Sequence, residues 1–229
     1  MIARLNAQIQ ESTRKQASLR KAELALLQAQ INPHFLYNTM DTIIWLIEAD
    51  RPQAAVEMVS NLSDFFRHSL SRGEDVIPLK EEEQHVRSYL QIQQARYKDI
   101  LEYTIQIDPG LREARLPKLT LQPLVENALY HGIKRKRGKG CICITGREEA
   151  GDVLLQITDD GAGMTEARLE ELSRAIERGE RPGFGLATVH ERLRLLFGSP
   201  YGLTLSSREG VGTTVTVRFP RRERKEAEA

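Results

Sequence analysis

The chain has 229 residues and a mass of 26.0 kDa, enough for one large domain or two modest ones of ~100–200 residues. Hydrophobic residues make up 40% and charged residues 28%, which excludes a disordered or fibrous chain. The 33 Lys+Arg against 32 Asp+Glu leave a formal charge of +1, a balance that argues against a dedicated nucleic-acid binder.

The N-terminus has no apolar signal core, and no run reaches the ~20 apolar residues of a membrane span. Residues 1–31 contain neither Gly nor Pro and follow a loose heptad (Ile2, Leu5, Ile9, Leu19, Leu26) broken by Ser12, Gln16 and Glu23. That pattern fits a short imperfect coiled coil or a plain amphipathic helix. Pro33 is expected to kink this helix, which resumes to about Glu48. A second helix is expected over 52–71, with Ser71-Arg72-Gly73 ending it, and a third over 79–97.

Beyond residue 100 the texture alternates. Leu101–Ile107 has strict period two and reads as a strand. A helix is expected around 119–131, strands over 141–147 and 153–158 joined at Ala150-Gly151-Asp152, helices over 165–178 and 184–197, and a last hairpin over 203–207 and 213–219. The charged tail 221–229 reads as disordered. Cys141 and Cys143 cannot build a disulfide framework; they read as buried thiols on one strand face in a reducing compartment. The sum is an α+β chain: a helical module, then a helical layer on a mixed sheet.

Four segments can carry chemistry. Asp159-Asp160-Gly161-Ala162-Gly163-Met164 follows a strand, where a carboxylate can accept from an exocyclic amine and glycines admit close approach; a tight turn is the plain alternative. Arg181-Pro182-Gly183-Phe184-Gly185-Leu186 opens a helix, an arrangement that favours anions, or merely ends a loop. Leu121–Gly132 puts Glu126, Asn127, Tyr130 and His131 together on part of a helix, and an Asn oxygen suits Mg²⁺. Gln30–Asn38 puts His34 beside a Pro, with Asn38 one turn later. His68, His85 and His190 read as surface or packing residues.

Together these segments resemble the LytS-like sensor histidine kinases. "LQAQINPHFLYNTMDTI" looks like their phosphoacceptor box and "LTLQPLVENALYHGI" like their N box. "ITDDGAGM" and "GFGLATVHERL" look like the two glycine boxes of the GHKL (gyrase, Hsp90, histidine kinase, MutL) ATP-binding fold, and "GVGTTVTVRFP" like its closing strands.

The resemblance implies an N-terminal helical hairpin forming a dimeric four-helix bundle, then a GHKL α/β sandwich. The implied boundaries are 1–72 for coiled coil, dimerisation and phosphoacceptor, 73–100 for a connecting helix, 101–220 for the ATP-binding domain and 221–229 for the tail. It implies that His34 accepts the γ-phosphoryl group of ATP and passes it to an Asp of a cognate response regulator. Asn127 would hold Mg²⁺ and Asp159 the adenine amine. Gly161 and Gly163 would shape the adenine pocket, with Thr213 supporting Asp159. Gly183, Gly185 and Leu186 would lie at the phosphates, below a lid over about 175–184. His131 is a further phosphate candidate. Glu126 is the candidate general base, or else orients Asn127 or the metal; Asn38 is a candidate for regulator dephosphorylation. Family members usually carry Lys at Tyr130 and Asn at Thr188, so the basic loop 133–139 could supply the missing phosphate contact or be a solvated hairpin. The expected location is cytoplasmic, as part of a membrane-bound bacterial sensor whose sensor region is absent from this chain. The rival readings are a degenerate ATP-binding module, a GHKL ATPase and a helical scaffold with an inert sandwich.

Overall fold

The computed structural model of the chain describes residues 33–69, 75–180 and 185–221. The chain divides into two compact units between Ala55 and Val56. The helix expected over 1–31, the kink before Pro33, the helix end at 71–73, Gly183 and the tail beyond Arg221 all lie outside the described residues; Arg221 itself is paired with Glu148.

In the first unit Pro33 opens α1 (Pro33–Glu48), a position where its missing N–H costs nothing. Phe35, Thr39, Ile43 and Leu46 form its buried stripe, while Tyr37, Ile44, Trp45 and Ile47 stay exposed. The helix ends in a Schellman motif. Asp50 takes the left-handed position (φ 55°), Arg51 N–H donates to the Leu46 carbonyl (2.9 Å) and Asp50 N–H to that of Ile47 (3.1 Å). Helix α2 (Pro52–Ser69) then carries the chain into the second unit.

There β1 (Val76–Pro78) leads directly into α3 (Leu79–Arg96) and pairs antiparallel with β3 (Arg115–Pro117), a small sheet without a sequence signal. The main sheet has the order β2-β4-β5-β7-β6. Its strands are β2 (Leu101–Ile107), β4 (Gly140–Glu149), β5 (Asp152–Asp159), β6 (Gly202–Arg208) and β7 (Gly212–Pro220). Only β2 runs parallel to its neighbour. The β4–β5 turn needs two left-handed residues, Ala150 (φ 53°) and Gly151 (φ 87°), as a tight hairpin does.

Period-two burial defines the faces. Ile142, Ile144, Val153, Leu155, Ile157, Val215, Val217 and Phe219 are buried, on the face that receives the helices. Cys141 and Cys143 alternate with the buried isoleucines of β4 and are half-buried. This corrects their reading as buried thiols: they do share a face, but it is the one opposite the core.

Helices α5 (Glu166–Glu177) and α6 (Leu186–Phe197) match their expected spans closely, and Thr165 caps α5 through Arg168 N–H. The expected helix over 119–131 is instead three pieces: α4 (Leu121–Asn127), a π turn over Ala128–Gly132 and a 3-10 turn over Ile133–Arg135. Because α5 runs to Glu177 with Ala175 and Ile176 buried, residues 175–177 belong to the packed domain rather than to a lid.

Candidate nucleotide site and phosphoacceptor helix

Six of the expected ligand-binding residues, Asn127, His131, Asp159, Gly163, Leu186 and Thr213, line one cavity of about 530 Å³ in the second unit. Ile157, Leu172, Ile176 and Val215 supply apolar walls, the mixture a small-molecule site requires.

Asp159 ends β5 with 5% exposure. Burial pushes its carboxyl up to about 6, against the pull of the Gly161 and Thr213 backbone amides and with a smaller upward push from Asp160. The Gly161 N–H donates to Oδ1 at 2.9 Å. Thr213 sits directly across the β5–β7 ladder, and its hydroxyl is 2.9 Å from Ser207 Oγ. Gly132 and Gly161 wrap this carboxyl so closely that a Cβ on Gly161 would lie 2.3 Å from the Gly132 carbonyl carbon. Gly163 has φ 63°, and a Cβ there would lie 1.9 Å from the Arg208 carbonyl oxygen. The loop is stitched on both sides, Ala162 N–H to the Gly132 carbonyl and Gly210 N–H to the Ala162 carbonyl.

Asn127 donates its Nδ2 to the Pro123 carbonyl at 2.7 Å. That bond identifies Oδ1 as the acceptor left for a ligand. Gly185, at the N-terminus of α6, lies so close that a Cβ there would be 3.2 Å from Asn127 Nδ2. The Asn127 side-chain amide and the positive end of a helix therefore stand side by side. Among the described residues no three His, Cys, Asp or Glu cluster to hold a metal. A cation here would rest on one amide oxygen plus ligand phosphates and water, which suits Mg²⁺.

Glu126 does not line the cavity. It accepts from Gln122 Nε2 at 2.8 Å, and burial raises its carboxyl. The basic loop is tied down rather than loose: Lys136 pairs with Asp160 at 3.0 Å, and Lys134 Nζ lies 4.8 Å from the ring centres of both Tyr97 and Tyr130. Arg135 lines the cavity beside His131, whose ring burial and Arg135 hold toward its neutral form. His190 Nδ1 accepts from Leu203 N–H, as a packing residue does. His85 is buried, stacked on Phe65 (4.7 Å) and bonded to Ser69.

In the first unit His34 is exposed on α1, and Asn38, one turn on, sits 3.1 Å from its Nδ1.

Sequence reasoning missed Glu82, a wholly buried carboxylate on α3 that accepts backbone N–H groups from Leu119 (2.6 Å), Thr120 (2.9 Å) and Leu121 (2.9 Å). Its only trace in the sequence is the run Glu81-Glu82-Glu83, which reads as a solvated face.

The mixed sheet with its helical layer, the cavity at the end of β5 and the glycine loop beside it are those of an ATP-binding domain of histidine kinase type, as comparison with known families shows. Residues 22–101 match the model of the Histidine kinase family, and 113–223 that of the Histidine kinase-, DNA gyrase B-, and HSP90-like ATPase family. Sensor histidine kinase YesM of Bacillus subtilis is 36% identical over 96% of this chain and 37% of its own length. Sensor protein LytS of Bacillus anthracis is 35% identical over 89% of this chain and 35% of its own. The histidine kinase domain of the Erythrobacter litoralis EL346 blue-light activated kinase superposes with a TM-score of 0.50 at 18% identity, covering 90% of this chain and 97% of that one, a likeness of fold. The chain belongs to the LytS-like sensor histidine kinases and spans about a third of the length of these two relatives. No helix among the described residues is long and apolar enough to cross a membrane.

Proposed function

We propose that this chain is the kinase core of a two-component sensor, taking Mg-ATP and phosphorylating itself on His34. An imidazole nitrogen of His34 attacks the γ-phosphorus, the bond to the β–γ bridging oxygen breaks, ADP departs and the ring proton passes to solvent or a nearby base. The phosphoryl group then moves to an aspartate of a response regulator. The observation that carries this reading is the convergence of Asp159, Asn127 and Leu186 on one cavity, with Gly185 beside Asn127, together with an exposed histidine on α1.

In this reading Asp159 accepts from the adenine amine, with Gly161, Gly163 and Thr213 shaping its surroundings. Asn127 would hold Mg²⁺, an ion that would supply neutralisation of charge on the phosphates. Gly183, Gly185 and Leu186 border the phosphates, with His131 at the rim. Glu126, bonded to Gln122 and not among the residues lining the cavity, orients the Asn127 helix rather than acting as base. Residues 1–72 form the dimerising phosphoacceptor module, in which the exposed Ile44, Trp45, Ile47, Val56 and Val59 pack against a second copy. Residues 73–100 connect this module to the ATP-binding domain proposed for 101–220; they are not one helix, because β1 pairs with β3 and α3 is bonded to the start of α4 through Glu82. The chain works in the cytoplasm as part of a membrane-bound sensor.

Incubation with γ-labelled ATP and Mg²⁺ tests the reading. Label is expected on the wild type and absent from His34→Ala, with nucleotide affinity unchanged; label persisting in that variant rejects the assignment. Asn38 is proposed to position water for regulator dephosphorylation. Asn38→Ala is expected to slow loss of label from the regulator, and an unchanged rate removes that role.

A further inference from the structure

Residues 118–121 are a junction where four helices meet. The backbone N–H groups of Leu119, Thr120 and Leu121, at the start of α4, all point at the Glu82 carboxylate of α3. Leu119 is held there in the left-handed region (φ 57°), a conformation costly for a branched side chain. Arg192 of α6 donates to the Lys118 carbonyl at 2.6 Å. Burial raises the Glu82 carboxyl above its ordinary value, and the three N–H groups and the Arg192 charge oppose that rise. The Lys118 ammonium donates to the Ser69 carbonyl at the end of α2 (2.5 Å), and Ser69 Oγ lies 2.8 Å from Nε2 of His85, one turn beyond Glu82 on α3.

The two elements that border the expected phosphate position, α4 with Asn127 and α6 with Gly185, thus meet at residues 118–121: Arg192 of α6 bonds the Lys118 carbonyl, and Glu82, which does not line the cavity, holds the next three N–H groups. The same knot holds the last turn of α2. A buried carboxylate accepting three N–H bonds is a stiff device, since charged hydrogen bonds in a dry site are strong and their loss leaves donors stranded.

We infer that Glu82 is a positioning residue for phosphate binding: it fixes α4 so that the Asn127 side chain stands beside Gly185, and links that alignment to the end of α2. The inference rests on the reading of Asn127 and Gly185 as the phosphate end of an ATP site.

The test compares ATP with adenosine, because adenosine engages Asp159 but offers no phosphates. It uses the full chain carrying Glu82→Gln, whose amide turns one of the carboxylate's acceptor positions into a donor facing backbone N–H. The ratio of adenosine to ATP dissociation constants in Mg²⁺ is expected to fall about tenfold or more in the variant, with adenosine affinity within about threefold of wild type. An unchanged ratio, or equal loss for both ligands, overturns the inference. If Glu82→Gln does not fold, Glu82→Asp, which keeps the charge on a shorter arm, is read the same way. A second readout needs no nucleotide: the Asn127 side-chain amide resonances are expected to shift in the variant, and unmoved resonances overturn the inference. A wild type that binds neither ligand defeats the ATP-site reading; the amide resonances then decide on Glu82 alone.

Discussion

His34 and Asp159 are the two centres on which the proposed chemistry turns, and the molecule houses them in opposite ways. His34 stands exposed on α1, with Asn38 one turn away as a hydrogen-bonding neighbour. Asp159 is enclosed at a strand end, wrapped by Gly132 and Gly161 and driven up to about 6 chiefly by its burial. A group that must be handed from ATP to a second protein has to stay reachable. A group that only recognises a base is best held rigid and dry, where one hydrogen bond discriminates more strongly. The cost of burying a carboxyl therefore falls on the proposed nucleotide site and not on the proposed nucleophile.

Three perturbations break or sharpen that contrast. The largest effect is expected from Asp159→Ala, which should weaken ATP and adenosine alike by about 10–100-fold, the worth of a hydrogen bond to a charged group (~1.5–3 kcal/mol). Titration calorimetry measures it, and an unchanged affinity would show that the enclosed carboxyl is not the base-recognition group.

Gly161→Ala comes next. Its new Cβ must displace the Gly132 backbone, a strain of about 1–3 kcal/mol. That lowers the melting temperature by about 2–4 °C per kcal/mol, whereas His34→Ala should leave it nearly unchanged.

The third lever is pH. Asp159 titrates higher in the folded domain than in the unfolded chain, so between about 6 and the ordinary carboxyl value the folded state holds more protons. The stability of the nucleotide-free protein gains from this group as pH falls through that window, and loses that gain as pH rises. Nucleotide affinity moves the other way, because a protonated Asp159 no longer offers a charged acceptor. Melting curves and binding isotherms at pH 7 and pH 5 check both signs, and Asp159→Ala should remove both trends.

Much of this molecule was legible in its sequence. Strict alternation in Leu101–Ile107 located β2 to the residue, and the glycine spacing at 161–163 located the loop that encloses Asp159. The strand end of Asp159, the helix position of Asn127 and the side-by-side cysteines followed from period and spacing. What stayed hidden depends on partners far along the chain. Glu82 meets Leu121 across 39 residues and Lys118 reaches Ser69 across 49, distances no local pattern encodes. The small β1–β3 sheet is too short to show a period. The π turn after Asn127 also escaped, because Ala128–Gly132 is an acceptable α-helical sequence until close packing of Gly132 on Asp159 decides otherwise.

The chain contains a single tryptophan, Trp45, 56% exposed on α1. The molecule thus carries a built-in optical probe confined to α1, the helix of His34. Its emission reports on the surroundings of that helix alone, without labelling. A blue shift with rising protein concentration would record the covering of α1 by a second copy. A change on adding nucleotide would show the helix responding to an event at the cavity, which has no indole of its own.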